Sequence, residues 1–216
     1  MPTVDGVVIV GTTCDNPFDP MDGWRKHLGV RPPAASDFFG WVERLAIPHH
    51  QKEAMWHLIL SGPPALDAVR AGLASDDPAI RRGCTQVLDH LVDDDALADL
   101  VEMVTDDDAA VRGSALHALA CERCKENGCT PSMATVLPAA LDRLRNDPNG
   151  HVRNNALGVV GQWVHQSADA LAAVIEAHEH DPHPAVRKMA GWFVPGGVRY
   201  EKTKPKVRAR ARVSAT

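Results

Sequence analysis

One arginine-centred segment recurs four times in this chain of 216 residues. The copies are Asp76-Asp77-Pro78-Ala79-Ile80-Arg81, Asp106-Asp107-Asp108-Ala109-Ala110-Val111-Arg112, Asp147-Pro148-Asn149-Gly150-His151-Val152-Arg153 and Asp181-Pro182-His183-Pro184-Ala185-Val186-Arg187. Their arginines stand 31, 41 and 34 residues apart. A period in that range is the signature of stacked supersecondary units, each too small to bury its apolar face alone.

The match continues on both sides of the arginine. One residue before it stand Ile80, Val111, Val152 and Val186; three after it Cys84, Ala115, Ala156 and Ala190; seven after it Leu88, Leu119, Val160 and Val194. These offsets share one face of a helix. Twelve residues before each arginine stand Val69, Leu100, Leu141 and Ile175, in a second apolar-periodic segment that ends at the turn. Each unit therefore reads as helix A, a turn, then helix B. Asp at the turn can accept orphan N–H groups at a helix start, and Pro is tolerated in the first turn, where its missing donor costs nothing. The small residues three positions after the arginine let neighbouring hairpins approach closely. Aromatics make up only 5% of the chain, which suits close-packed helices better than a β-sandwich.

The D-P-x-[VI]-R turn, the small and aliphatic positions after it and a period in the thirties resemble HEAT repeats of the short bacterial type, similar to the HEAT-like repeats of phycobilisome lyases. The resemblance covers residues 64–195 in four units and implies an all-α fold, a short right-handed α-solenoid of the armadillo-like helical kind. Residues 36–60 read as a degenerate leading pair, with Phe38-Phe39-Gly40-Trp41 on its first helix and Ala54-Met55-Trp56 on its second. The expected division is thus an irregular arm or cap over 1–35, with a strand-like Val7 to Gly11, a solenoid over 36–198 and a basic disordered tail over 199–216.

Charge is distributed unevenly. From residue 201 onward Lys202, Lys204, Lys206, Arg208, Arg210 and Arg212 face Glu201 alone, a net +5. The whole chain is −5, so the remainder carries −10. An acidic body disfavours broad contact with phosphates, whereas the tail could tether nucleic acid or an acidic partner, or simply be solvated. No apolar run reaches membrane-spanning length and no leader pattern opens the chain, so a cytoplasmic protein is expected.

The 41-residue interval holds about seven to ten extra residues, and Cys121-Glu-Arg-Cys124-Lys-Glu-Asn-Gly-Cys129 occupies that place. His117 precedes Cys121 by one helical turn. His117, Cys121, Cys124 and Cys129 would form a closed Cys3His set suited to one structural zinc; free thiols packing a loop, or a redox pair, are the alternatives. Arg81, Arg112, Arg153 and Arg187 admit two readings: a cationic ladder for phosphates, or structural bonds to an Asp or a carbonyl in the same or the adjoining turn. His178, His180 and His183, like His49 and His50, read as surface or helix-start residues.

Nucleotide-binding, zinc-protease, nucleophile-elbow and deaminase signatures do not occur in the sequence. The resemblance implies a non-enzymatic scaffold or adaptor that holds a protein partner in a concave groove. Two alternatives stay open: a nucleic-acid-associated factor tethered by its tail, and a HEAT-like glycosylase of alkylated bases using Trp163 and Trp192. The repeat register itself is testable. Ala115→Leu and Ala156→Leu should each destabilise by about 1–3 kcal/mol through overpacking, and thermal melts matching the parent would show that the alignment is off by at least one position.

Overall fold

Every repeat becomes a helical hairpin in the computed structural model, which describes residues 3–4, 7–8, 37–91, 94–121 and 131–205. A leading pair is formed by α1 (Phe38–Glu43) and α2 (Gln51–Ser61). The four arginine-anchored units follow. They pair α3 (Leu66–Gly72) with α4 (Pro78–Leu88) and α5 (Asp94–Met103) with α6 (Ala109–Ala120). The last two pair α7 (Met133–Asn146) with α8 (Gly150–Val160) and α9 (Ala168–His180) with α10 (Pro184–Ala190). Within each unit A packs on B, and α2, α4, α6, α8 and α10 stack on one another in chain order. The result is the all-α solenoid that the repeats predict. Among the described residues the only strands precede the stack: β1 (Thr3–Val4) and β2 (Val7–Val8) pair antiparallel, Thr3 opposite Val8.

The turn between A and B does two jobs and gives them to two different residues. Four positions before the arginine sits the N-cap. Asp77, Asp108, Asn149 and His183 accept the backbone N–H two residues on, from Ala79, Ala110, His151 and Ala185 at 2.8, 2.8, 2.8 and 3.3 Å. A helix start leaves four such donors orphaned, so these bonds fix where helix B begins. Six positions before the arginine, Ser75, Asp106, Asp147 and Asp181 accept the N–H of the cap residue itself at 2.7–3.2 Å. That side-chain turn closes helix A and, in the three units where the residue is Asp, leaves the carboxylate able to bond elsewhere as well.

It is used by the preceding unit. Arg81 reaches Asp106 with Nε at 2.7 Å and Nη2 at 2.9 Å; Arg112 reaches Asp147 at 2.7 and 3.0 Å; Arg153 reaches Asp181 at 2.8 and 2.9 Å. Each pair is the two-pronged guanidinium–carboxylate arrangement, the strongest common form of the contact. The remaining Nη1 donates to two carbonyls of its own turn, Ser75 and Asp76, Asp106 and Asp107, or Asp147 and Pro148. The guanidinium thus ties its own turn to the next one. Arg112 and Asp147 are buried to 7% and 2% exposure, an environment in which an unpaired charge would be very costly. The bonding occupies the three internal arginines, so they do not form an exposed ladder for phosphates.

The apolar offsets behave as one face. Cys84, Ala115, Ala156 and Ala190 are fully buried, as are Leu88, Leu119 and Val160, while Val194 in the last unit is only half-buried. Burial pushes the Cys84 thiol up to about 12, so it acts as a small hydrophobe. Gly83 stands where a Cβ would meet Leu45 Cβ at 2.8 Å, which is how the leading pair comes to sit directly on α4. Val69, Leu100 and Leu141 are buried as the register requires, but in the last unit Val174 is buried and Ile175 only half-buried. The stripe on α9 runs Ala170, Ala173, Val174, Ala177, which puts Ile175 at its edge, and among the described residues no further hairpin covers that flank.

One segment departs from the sequence reading. Residues 199–203, expected in the disordered tail, belong to a short helix, α11 (Val198–Thr203). Its backbone N–H groups at Arg199 and Tyr200 bond the Trp192 carbonyl at 2.9 and 3.0 Å, and the Tyr200 ring lies 4.3 Å from His165. One aromatic side chain with a ring to rest on outweighs a lack of periodicity too short to read. Lys206 and the residues after it lie outside the described residues.

The clamps make two predictions. Arg153→Met should cost about 3–5 kcal/mol in urea unfolding, because it leaves the Asp181 carboxylate buried without its partner. Arg187→Met should cost less, since Arg187 has a bond to its own Asp181 carbonyl at 2.6 Å but no carboxylate partner among the described residues. The second concerns pH. Burial alone would raise the carboxyls of Asp106, Asp147 and Asp181, yet the bonds from Arg81, Arg112 and Arg153 and from the backbone hold them below the ordinary value. Their contribution is therefore complete above the unfolded value of about 4 and is lost as pH falls through the lower folded value. In Arg153→Met, burial dominates at Asp181, its folded value rises above the unfolded one, and acid favours the folded state at that site. Urea midpoints of parent and variant should converge below about pH 4; parallel curves would contradict the clamp.

Candidate functional site

Stacking the B helices side by side leaves their exposed faces along one groove. It has a volume of about 620 Å³ and is built from four successive units: Lys52 and Met55 of α2, Arg82 and Gln86 of α4, Gly113 and Ser114 of α6, and His151 and Asn155 of α8. The lining mixes these polar side chains with the apolar surface of Met55, Ala109, Ala110 and Val152. Asn155 crosses from α8 to donate to the Gly113 carbonyl at 3.0 Å, and Gln162, in the 3-10 turn after α8, donates to the Ala120 carbonyl at 3.0 Å. Both bonds brace neighbouring units, and that of Asn155 lies at the groove.

At one wall three chemically distinct groups converge. Asp89 caps the C-terminus of α4, His117 is in the last turn of α6, and Cys121 caps α6. One carboxylate oxygen, one imidazole nitrogen and the Sγ all lie within 4.8 Å of one another. His117 Nε2 is 3.8 Å from Asp89 Oδ2, with His117 67% exposed and Asp89 12% exposed in their side chains. His90 is beside them, held below its ordinary value by burial and by the proximity of His117, against the pull of Asp89.

Of the four residues that sequence spacing proposes for a metal, His117 and Cys121 are thus brought together, while Cys124 and Cys129 lie outside the described residues. The partner that sequence reading missed is Asp89. Its signal was present in the repeat register: Asp89 and His90 follow Arg81 by eight and nine residues, and Ala120 and Cys121 follow Arg112 by the same distances. Equal offsets in adjacent units stack as neighbours.

The remaining candidates separate. His178 Nδ1 lies 2.9 Å from the Arg187 carbonyl, His180 is near Glu179, and His183 caps α10. His50 caps α2 and pairs with Glu53 at 3.3 Å, at the helix start where it was expected. Trp163 sits in a 3-10 turn after α8 and Trp192 just past α10 at 39% exposure; neither lines the groove. Lys202 is in the last turn of α11 and Lys204 pairs with Glu201 at 3.7 Å. Lys206, Arg208, Arg210 and Arg212 lie outside the described residues. No helix among the described residues is long and apolar enough to cross a membrane.

Residues 41–120, from α1 through α6, match the family model for HEAT repeats. No curated protein matches the chain.

Proposed function

We propose that this chain, which belongs to the HEAT-repeat proteins, is a non-catalytic scaffold that holds a segment of a protein partner in the groove of its B helices. The observation that carries this reading is the continuity of that groove across α2, α4, α6 and α8. A surface drawn from four units can be long without the chain being large, which is the useful property of a solenoid. Its lining of Gln51, Gln86, Ser114 and Asn155 offers donors and acceptors for an extended backbone, and Lys52 and Arg82 favour a segment with acidic side chains.

The groove is poorly suited to a duplex. Only Lys52 and Arg82 are permanently cationic there and Asp89 opposes them, whereas duplex binding rests on neutralising several phosphates. The tryptophans that a base-excision site would need stand elsewhere.

A photo-crosslinking residue placed at Gln86 should capture the partner in native cells, and the same residue at Asp142, on the exposed side of α7, should not. Deleting residues 206–216 should leave capture from Gln86 unchanged. Capture from Asp142 alone, or its disappearance with the tail, would place binding outside the groove.

A further inference from the structure

We infer that Asp89, His117 and Cys121 form a zinc site that joins the second arginine-anchored unit to the first at the wall of the groove. The three side chains come from two consecutive units and offer one oxygen, one nitrogen and one sulfur within 4.8 Å of one another. Zinc is the common divalent ion at home with all three donor types, since it is borderline soft and has no geometric demand beyond four-coordination. Tetrahedral bonds of about 2.0–2.3 Å put ligand atoms about 3.3–3.8 Å apart. The 3.8 Å between His117 Nε2 and Asp89 Oδ2 already meets that spacing, and the widest separation needs to close by only about 1 Å.

The backbone supports the assignment. His117 and Cys121 are four residues apart, one helical turn, so the end of α6 presents both toward the same side. Asp89 enters from the C-cap of α4, the neighbouring B helix in the stack. Asp89 and His117 both line the groove, and among the described residues the protein supplies three ligands, so the inferred site keeps its fourth tetrahedral position for a ligand from outside the cluster. An open fourth position distinguishes this site from a closed structural one of four protein ligands. A carboxylate or imidazole of the groove's occupant could fill it.

The deciding measurement is calorimetric titration of zinc chloride into the metal-stripped, reduced full chain, together with His117→Ala, Asp89→Asn, Cys121→Ser and a Cys124→Ser, Cys129→Ser pair. One zinc per chain is expected. Each single change should weaken binding by at least the roughly 10–100-fold that even outer-shell substitutions cost, while the Cys124, Cys129 pair stays near the parent. Cobalt(II) should show a thiolate charge-transfer band that Cys121→Ser removes. His117 is largely exposed, so its alanine variant keeps the fold, checked by circular dichroism, and carries the decision if Asp89→Asn unfolds. Absence of binding by the parent, undiminished binding by His117→Ala, or loss confined to the Cys124, Cys129 pair would each overturn the assignment.

Discussion

A buried guanidinium that bonds its own turn and the next one is the interaction on which the rest of this structure depends. Four of the five N–H donors of Arg112 have acceptors, two on the Asp147 carboxylate and two on carbonyls of its own turn. With its donors filled the charge can be buried; with its position fixed by two turns, it sets the relative height of adjacent hairpins. Apolar packing between small residues is tolerant of sliding, because one Ala presents much the same surface as another. The clamp is not tolerant, since a shift of one residue would leave both carboxylate prongs unmet.

The same bond explains how the stack accommodates irregular connections. Arg81 and Asp106 are 25 residues apart, Arg153 and Asp181 28, and Arg112 and Asp147 35. The geometry at the three clamps is nevertheless the same to within 0.1 Å. The extra residues fall in the chain between α6 and α7 and leave the clamp geometry unchanged. That connection starts at Cys121, next to Asp89 and His117, so the one place where the repeat lengthens is also where ligating groups gather.

Most of the fold was legible in the sequence because it is periodic. Cys84, Ala115, Ala156 and Ala190 reveal their shared depth by their shared offset, and four copies make a chance match improbable. What the sequence hid was the direction of bonding. An Asp six residues before an arginine looks like part of that arginine's own turn, and only stacking shows that it serves the arginine of the unit before. The Asp89, His117 and Cys121 cluster was hidden for the same reason, being spread over two units. The short helix α11 is held by the Trp192 carbonyl and the Tyr200–His165 contact, neither of which leaves a periodic pattern to read. Where the chain is not periodic, as before residue 36, composition says little about what it packs against.

The clamps also give the array a sense of direction. Each unit donates an arginine forward and receives through the Asp of its turn, so the two ends are chemically unlike. The first unit has Ser75 at the receiving position, a residue that closes the turn but could not accept a guanidinium prong by prong, and the leading pair seats itself instead by the close approach of Leu45 to Gly83. The last unit ends on Arg187, whose forward edge meets no carboxylate among the described residues. Lengthening the array by duplication is accordingly asymmetric. A fifth arginine-anchored unit could be appended after α10 if it brought an Asp six residues ahead of its own arginine, whereas one inserted before α3 would find no acceptor waiting unless Ser75 changed as well.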